Sequence, residues 1–226
     1  MDADWTESLL RNSGWGGMNR LGKCVFGIVL LAISLFSHAA DLERGKREYK
    51  LCAGCHGFEG AGNRLVGAPS IGGQQAWYLA RQLDNFRQRI RGSDADDSQA
   101  QSMAVMSQAL DDAGATEDLL AYIASLPTPV ILATSIQGDA DAGRALYATC
   151  TACHGPDGRG DESLQAPALI TLSPWYQVAQ LQKFKNGQRG RDVRDNFGRQ
   201  MAPMAAVLPD EQAMHDVVAY ISSLAD

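Results

Sequence analysis

Two short runs carry the chemistry of this chain. Cys52-Ala53-Gly54-Cys55-His56 is followed 98 residues later (150 − 52 = 98) by Cys150-Thr151-Ala152-Cys153-His154. Paired thiols two residues apart suit zinc, a redox disulfide or covalent heme attachment, and the residue after the pair separates these. A histidine directly after the second cysteine is the heme signature. Two thiols add to the two vinyl groups of the porphyrin, the spacing lays one short turn along the heme edge, and the adjacent imidazole meets the iron. The expectation is two covalently bound hemes c, one on Cys52 and Cys55 with His56 on its iron, the other on Cys150 and Cys153 with His154. Zinc would need the cysteines and histidines as a tetrahedral set. A thioredoxin-like dithiol would need a βαβ setting, which the sequence lacks.

A six-coordinate iron needs one more ligand from the chain. Besides the motif histidines there are only His38 and His215, which cannot serve two hemes. His215 reads as a surface or helix-packing residue. Methionines come in matched pairs, Met103 with Met106 and Met201 with Met204. A thioether ligand raises the reduction potential, as suits an electron carrier. Spacing alone does not choose within either pair; one methionine of each is the ligand and the other packs in the core.

The elements that must position these residues also come twice. At the same offset Gly45 and Tyr49 recur as Gly143 and Tyr147. Ala68-Pro69 recurs as Ala166-Pro167, Trp77-Tyr78 as Trp175-Tyr176, and Gln82-Leu83 as Gln180-Leu181. Leu110 recurs as Leu208, and Ala121-Tyr122-Ile123 as Ala219-Tyr220-Ile221. Two copies mean a pair of domains rather than a solenoid. Apolar spacing predicts helices over Leu42–Cys52, Gln74–Arg91 (stopped by Gly92) and Thr116–Ser125 (capped by Thr116). In the second copy it predicts Ala140–Thr149, Pro174–Asn186 and Pro209–Leu224. The acidic stretch Ser93–Asp97 reads as a solvated loop. The domains are drawn as 41–127 and 139–226, with a linker over 128–138.

Upstream, Arg20 and Lys23 precede the apolar run Val25–Phe36, and Ser37-His38-Ala39-Ala40 follows it. This is the make-up of a secretory signal, with cleavage after Ala39 or Ala40 and a translation start at Met18, so that Cys24 is lost. Residues 1–40 are therefore an upstream segment and signal peptide. The competing reading is an uncleaved anchor. A Sec-type signal places the mature protein in a bacterial periplasm.

The formal net charge of −6 argues against nucleic acid as a partner. Basic residues nevertheless gather at Arg81, Arg87, Arg89 and Arg91, and again at Lys183, Lys185, Arg189, Arg191 and Arg194. They read either as solvated helix faces, or as pairing with heme propionates or docking to an acidic partner. Trp77 and Trp175 would line the hemes or donate to a propionate.

The two C-x-x-C-H motifs near the start of each copy, with methionines before each last helix, resemble the cytochrome c4 family over nearly all of the mature chain. The resemblance implies an all-α fold of two tandem class I cytochrome c domains packed as a pseudo-symmetric pair. It implies an axial methionine seven residues before the apolar residue that leads into the last helix, which selects Met103 (from Leu110) and Met201 (from Leu208). It implies that the basic stretches lie near the propionates where the domains meet. The activity implied is single-electron transfer without catalysis, between a quinol-oxidising complex or dehydrogenase and a terminal oxidase. Any membrane association then runs through that partner. The alternatives are an electron-accepting subunit of a larger oxidoreductase, or an enzyme such as a diheme peroxidase or a thiosulfate dehydrogenase-like protein.

Overall fold

The computed structural model describes residues 40–110, 112–130 and 137–225, so the signal segment, the Met18 start and Cys24 lie outside the described residues. Among the described residues the fold is helical, with two isolated bridges, Asn63 to Ala68 and Asp161 to Ala166, and no strand. The first domain holds α1 (Leu42–His56), α2 (Ala76–Arg87), α3 (Ser98–Met106) and α4 (Ala113–Ser125). The second holds α5 (Ala140–Tyr147), α6 (Thr151–His154), α7 (Pro174–Lys185), α8 (Asn196–Ala206) and α9 (Glu211–Ser223). None of these helices is long and apolar enough to cross a membrane.

Each domain is built on a crossing between its first and last helix. Glycine permits the approach: a Cβ on Gly45 would lie 2.1 Å from the Asp118 carbonyl oxygen, and one on Gly143 would lie 1.9 Å from that of Asp216. Behind the crossing, Tyr49, Leu110, Leu119 and Ile123 form the first core. Tyr147, Leu208, Met214, Val217, Val218 and Ile221 form the larger second core.

Helix α1 runs unbroken into its heme motif, capped by the Asp41 carboxylate on the Arg44 N–H. The corresponding stretch of the second domain is split. The Thr151 hydroxyl donates to the Tyr147 carbonyl (3.2 Å), which also takes the Cys150 N–H (2.8 Å). A hydroxyl bonded back to the i−4 carbonyl competes with the helix ladder. The first domain has Ala53 at that position and no such competitor.

Several expected boundaries move. Helix α2 stops at Arg87 rather than near Gly92, because Arg89 takes a left-handed turn (φ 55) with its N–H on Phe86 O. The cap of α4 is Asp112, not Thr116. The Thr116 hydroxyl is buried and instead takes Arg87 and donates to the Asp112 carbonyl. Pro209 lies outside α9, whose cap is Asp210. The segments carrying the methionines are helices, not loops: Asp97 caps α3 and Asp195 caps α8. Ser98–Met106 lacks an apolar face and Asn196–Ala206 carries Pro203 in its interior, which reads as a break, while the two aspartate caps were readable. Asp97 also corrects the reading of Ser93–Asp97 as wholly solvated, since it is buried and paired with Lys183 of the other domain at 2.6 Å.

Candidate functional site: two histidine-bearing turns and the interface between them

In each domain the motif histidine ends a helical turn and is buried with one ring nitrogen engaged. His56 Nδ1 lies 2.8 Å from Pro69 O, and His154 Nδ1 lies 2.8 Å from Pro167 O. A carbonyl accepts only, so Nδ1 carries the proton and Nε2 keeps its lone pair for a metal. Burial holds both imidazoles below their ordinary pKa, the prolyl carbonyl working the other way. A neutral imidazole is the form that ligates. The turn is braced alike in both copies: Tyr49 OH donates to Gly57 O and Tyr147 OH to Gly155 O, each at 2.7 Å.

None of the four motif cysteines is paired in a disulfide; Cys52 and Cys150 are half-buried and Cys55 and Cys153 exposed. Burial, then the neighbouring Cys55 and Glu48, push the Cys52 thiol up to about 11. Burial likewise raises Cys150. Neither is an activated thiolate of the dithiol-redox kind. Among the described residues no three His, Cys, Asp or Glu side chains gather as a metal site, which leaves zinc without a ligand set.

Beside His56 opens a cavity of about 380 Å³. Cys52, Cys55 and His56 line one part of it, and Met103 and Met106 both border it. These methionines are three residues apart on α3 and share a face. Met103 is half-buried and packs on Phe86, Ala100 and Ala104, whereas Met106 is 38% exposed. Met201 and Met204 are both half-buried on α8, on either side of Pro203. His215 is half-buried and lies 3.7 Å from Glu211 on its own helix.

The far part of the cavity belongs to the other domain: Trp175, Tyr176, Gln180 and Lys183 line it together with Gln82 and Arg91. Here the basic stretches meet. Arg91 donates to Gln82 Oε1 (2.8 Å), Tyr176 OH (2.8 Å) and Gln180 Oε1 (3.0 Å). Arg189 mirrors it on Gln180 Oε1 (2.8 Å), Tyr78 OH (3.1 Å) and Gln82 Oε1 (3.0 Å). Burial pushes the Tyr176 phenol up, but Arg91 and Arg189 outweigh it and hold the group below its ordinary value.

The two readings of the basic residues therefore need sorting. Arg81, Arg91, Lys183 and Arg189 are neither solvated nor free to dock a partner, because they stitch the domains together. Arg87 and Lys185 close the carbonyl ends at Leu110 and Leu208 within their own domains. Arg194 pairs with Asp192 on the surface.

These surroundings suit a heme. The cavity has an apolar body, two thiols and an imidazole at one side, and a cationic polar end. Arg91 and Lys183 supply the cations of that polar end, while Arg81 Nε, Arg189 Nε and Thr171 Oγ1 are buried outside its lining without a partner among the described residues. Sequence reasoning missed the polar residues that join the halves: Ser70 Oγ donates to Thr171 O (2.9 Å), and Gln74 Nε2 to Ala168 O (3.0 Å). Their type marks them as surface residues in sequence, whereas Tyr78, Gln82, Tyr176 and Gln180 stood out there as repeat anchors.

Comparison with known proteins agrees with this geometry. The cytochrome c family model matches residues 42–127 and again 140–225. A cytochrome c4 of Thiocapsa roseopersicina is 30% identical, over 72% of this chain and 81% of that protein. A thiosulfate dehydrogenase electron acceptor of Stutzerimonas stutzeri (strain A1501) is 29% identical, over 76% and 83%. The crystal structure of reduced recombinant cytochrome c4 from Pseudomonas stutzeri superposes with a TM-score of 0.63 at 26% identity, covering 81% of this chain and 98% of that one.

Proposed function

The chain belongs to the cytochrome c4 family and carries two covalently bound hemes c in two tandem class I domains, and from that premise we propose that it is a periplasmic carrier of single electrons rather than an enzyme. Bound heme supplies a one-electron Fe(III)/Fe(II) couple. The rest is work for the chain. Cys52 and Cys55, and Cys150 and Cys153, attach the two groups. His56 and His154 ligate from one side with Nε2, their Nδ1–H held by a prolyl carbonyl. Met103 and Met201 would supply the second protein ligand to each iron, which would leave no open position for substrate. The domains run over 41–127 and 139–226, joined by 128–138.

The observation that carries this reading is the interface. A cavity holding His56 at one side is closed at the other by Trp175, Tyr176 and Gln180 of the second domain. This supports a first redox group seated in a water-poor site against the second domain, with Arg91 at its polar end. Electrons enter one domain, cross, and leave from the other. The outer partners are a quinol-oxidising complex or dehydrogenase and a terminal oxidase. A second donor is favoured by a specific likeness: a relative of this chain bears the name of an electron acceptor for thiosulfate dehydrogenase. The apolar run Val25–Phe36 behind Arg20 and Lys23 supports export.

The test is a pyridine hemochrome count with the far-red Met–iron band of the oxidised protein. Two hemes and a full band for both are expected. Met103→Ala should remove half of that band and Met106→Ala none. A half-strength band in the unaltered protein would leave one iron open and move the enzyme reading ahead.

A further inference from the structure

The turns that present the two prolyl carbonyls are built differently. In the first domain the turn is closed by Gly67 at φ 69, followed by Ala68-Pro69. The matching residue of the second domain is Gln165, at φ 57, followed by Ala166-Pro167. A left-handed conformation is strained for a residue with a Cβ and persists only when its surroundings impose it. Part of the hold is local, since Gln165 N–H and Nε2 both donate to Glu162 O (2.9 and 2.8 Å), and the rest comes from the other domain. Arg81 on α2 donates through Nη1 to Gln165 Oε1 (2.8 Å) and through Nη2 to Gln165 O (3.0 Å). Arg81 is itself fixed over the rings of Phe197 (4.6 Å) and Trp77 (5.2 Å). The same segment is gripped again past the proline: Gln75 Oε1 takes the Ala168 N–H (2.8 Å) and Gln74 donates to Ala168 O (3.0 Å). In the other direction the second domain touches the matching segment only past its proline among the described residues, where Ser173 N–H and Oγ meet Ser70 Oγ (3.1 and 3.3 Å), and no side chain grips the Gly67 turn as Arg81 grips Gln165. The position matching Arg81 in the second domain is Ala179, and the turn it would face is closed by Gly67.

We propose that Arg81 is a positioning residue for the second heme: by holding Gln165 left-handed it keeps Pro167 O on His154 Nδ1, so that the first domain sets the reduction potential of the second domain's iron while the reverse control is absent. This rests on His154 being an axial ligand. A carbonyl on Nδ1–H makes imidazole a stronger donor, which favours the ferric state and lowers the potential. Releasing Gln165 lengthens that bond, so the potential of the second heme rises. Loss of a nearby cation by itself has the opposite sign, since a positive charge favours the ferrous state.

The experiment is a redox titration of the two-heme protein followed by NMR, which resolves the resonances of each heme. Arg81→Ala and Arg81→Lys should each raise the potential of the second heme and leave the first unchanged. Lysine keeps the charge but not the two-pronged grip. Adding Gln165→Gly to either variant rebuilds the turn as the first domain builds it, and should return the potential most of the way to its original value. A fall in potential, an equal shift of both hemes, or no rescue by glycine overturns the proposal. If the unaltered protein lacks the His–Met signature in its second domain, the ligand assignment has failed instead.

Discussion

The first domain carries its cysteines and histidine on one continuous helix, while in the second the leading helix stops at Tyr147 and Cys150 caps a separate turn that carries Cys153 and His154. Yet the contacts match: 2.8 Å from each imidazole to its prolyl carbonyl, and 2.7 Å from each bracing tyrosine hydroxyl to the glycine carbonyl that follows the histidine. Helix continuity is thus not what places the histidine. The glycine crossing, the tyrosine brace and the proline carbonyl do that, and these are the positions that recur. The positions that differ lie one layer out: Ala53 against Thr151, Gly67 against Gln165, Arg81 against Ala179. Duplication fixed the site and left its supports free to diverge.

The comparison is broken most severely at the crossings. Gly143→Ala drives a methyl into the Asp216 carbonyl and should cost at least about 1–3 kcal/mol. Gly45→Ala should cost as much in the first domain, read by thermal unfolding. A clearly milder effect in either domain would show that its helix pair can slide apart.

The interface comes next. Arg91→Ala leaves Gln82, Gln180 and the Tyr176 hydroxyl short of a donor in a buried place, a loss of about 1–3 kcal/mol. Arg189→Ala should do the same, and the double variant should fall short of the sum because the two arginines share Gln82 and Gln180. Denaturant unfolding checks this, and additive effects would mean the two arginines act apart.

Acid separates the domains more gently. The Arg44 side chain, followed by the Asp41 N–H, holds the Asp118 carboxyl below the ordinary carboxylate range. Asp216 is held down by the Asp139 N–H and the neutral Gln212. A depressed carboxyl stabilises at pH above its unfolded value, and that contribution disappears as pH falls through the folded value. Asp118→Asn should therefore flatten the acid limb of the stability curve more than Asp216→Asn does. Equal flattening would remove Arg44 as the cause.

The smallest effect sharpens the contrast in helix continuity. Thr151→Ala removes the competing hydroxyl and should stabilise the second domain by about 0.5 kcal/mol. Ala53→Thr should subtract a similar amount from the first, and calorimetry resolves both.

Much of this was legible before any coordinates. The C-x-x-C-H motifs, the 98-residue offset and the helical character all follow from residue type and spacing. So do the first and last helices of each domain, whose apolar periodicity is strong. The methionine-bearing helices were not legible, because Ser98–Met106 mixes small, polar and apolar residues without a face, and only Asp97 announces it. The interface was misread for a physical reason. Arg91 and Lys183 are long charged side chains that sequence assigns to solvent, and nothing local reveals that Tyr176, Gln180 and Asp97 will bury them. Such polar networks are set by the other half of the chain, beyond the reach of periodicity.

The reciprocal pattern at that interface has a consequence for how the halves find each other. Tyr78, Gln82 and Arg91 face Tyr176, Gln180 and Arg189 in the manner of a two-fold homodimer, the same patch meeting itself. Joined in one chain, the two patches meet at the effective concentration of a tether rather than at that of the solution. Assembly becomes independent of dilution. Once the copies cannot exchange partners, each is free to acquire a one-sided contact such as Arg81 on Gln165, which a symmetric dimer would have to make twice.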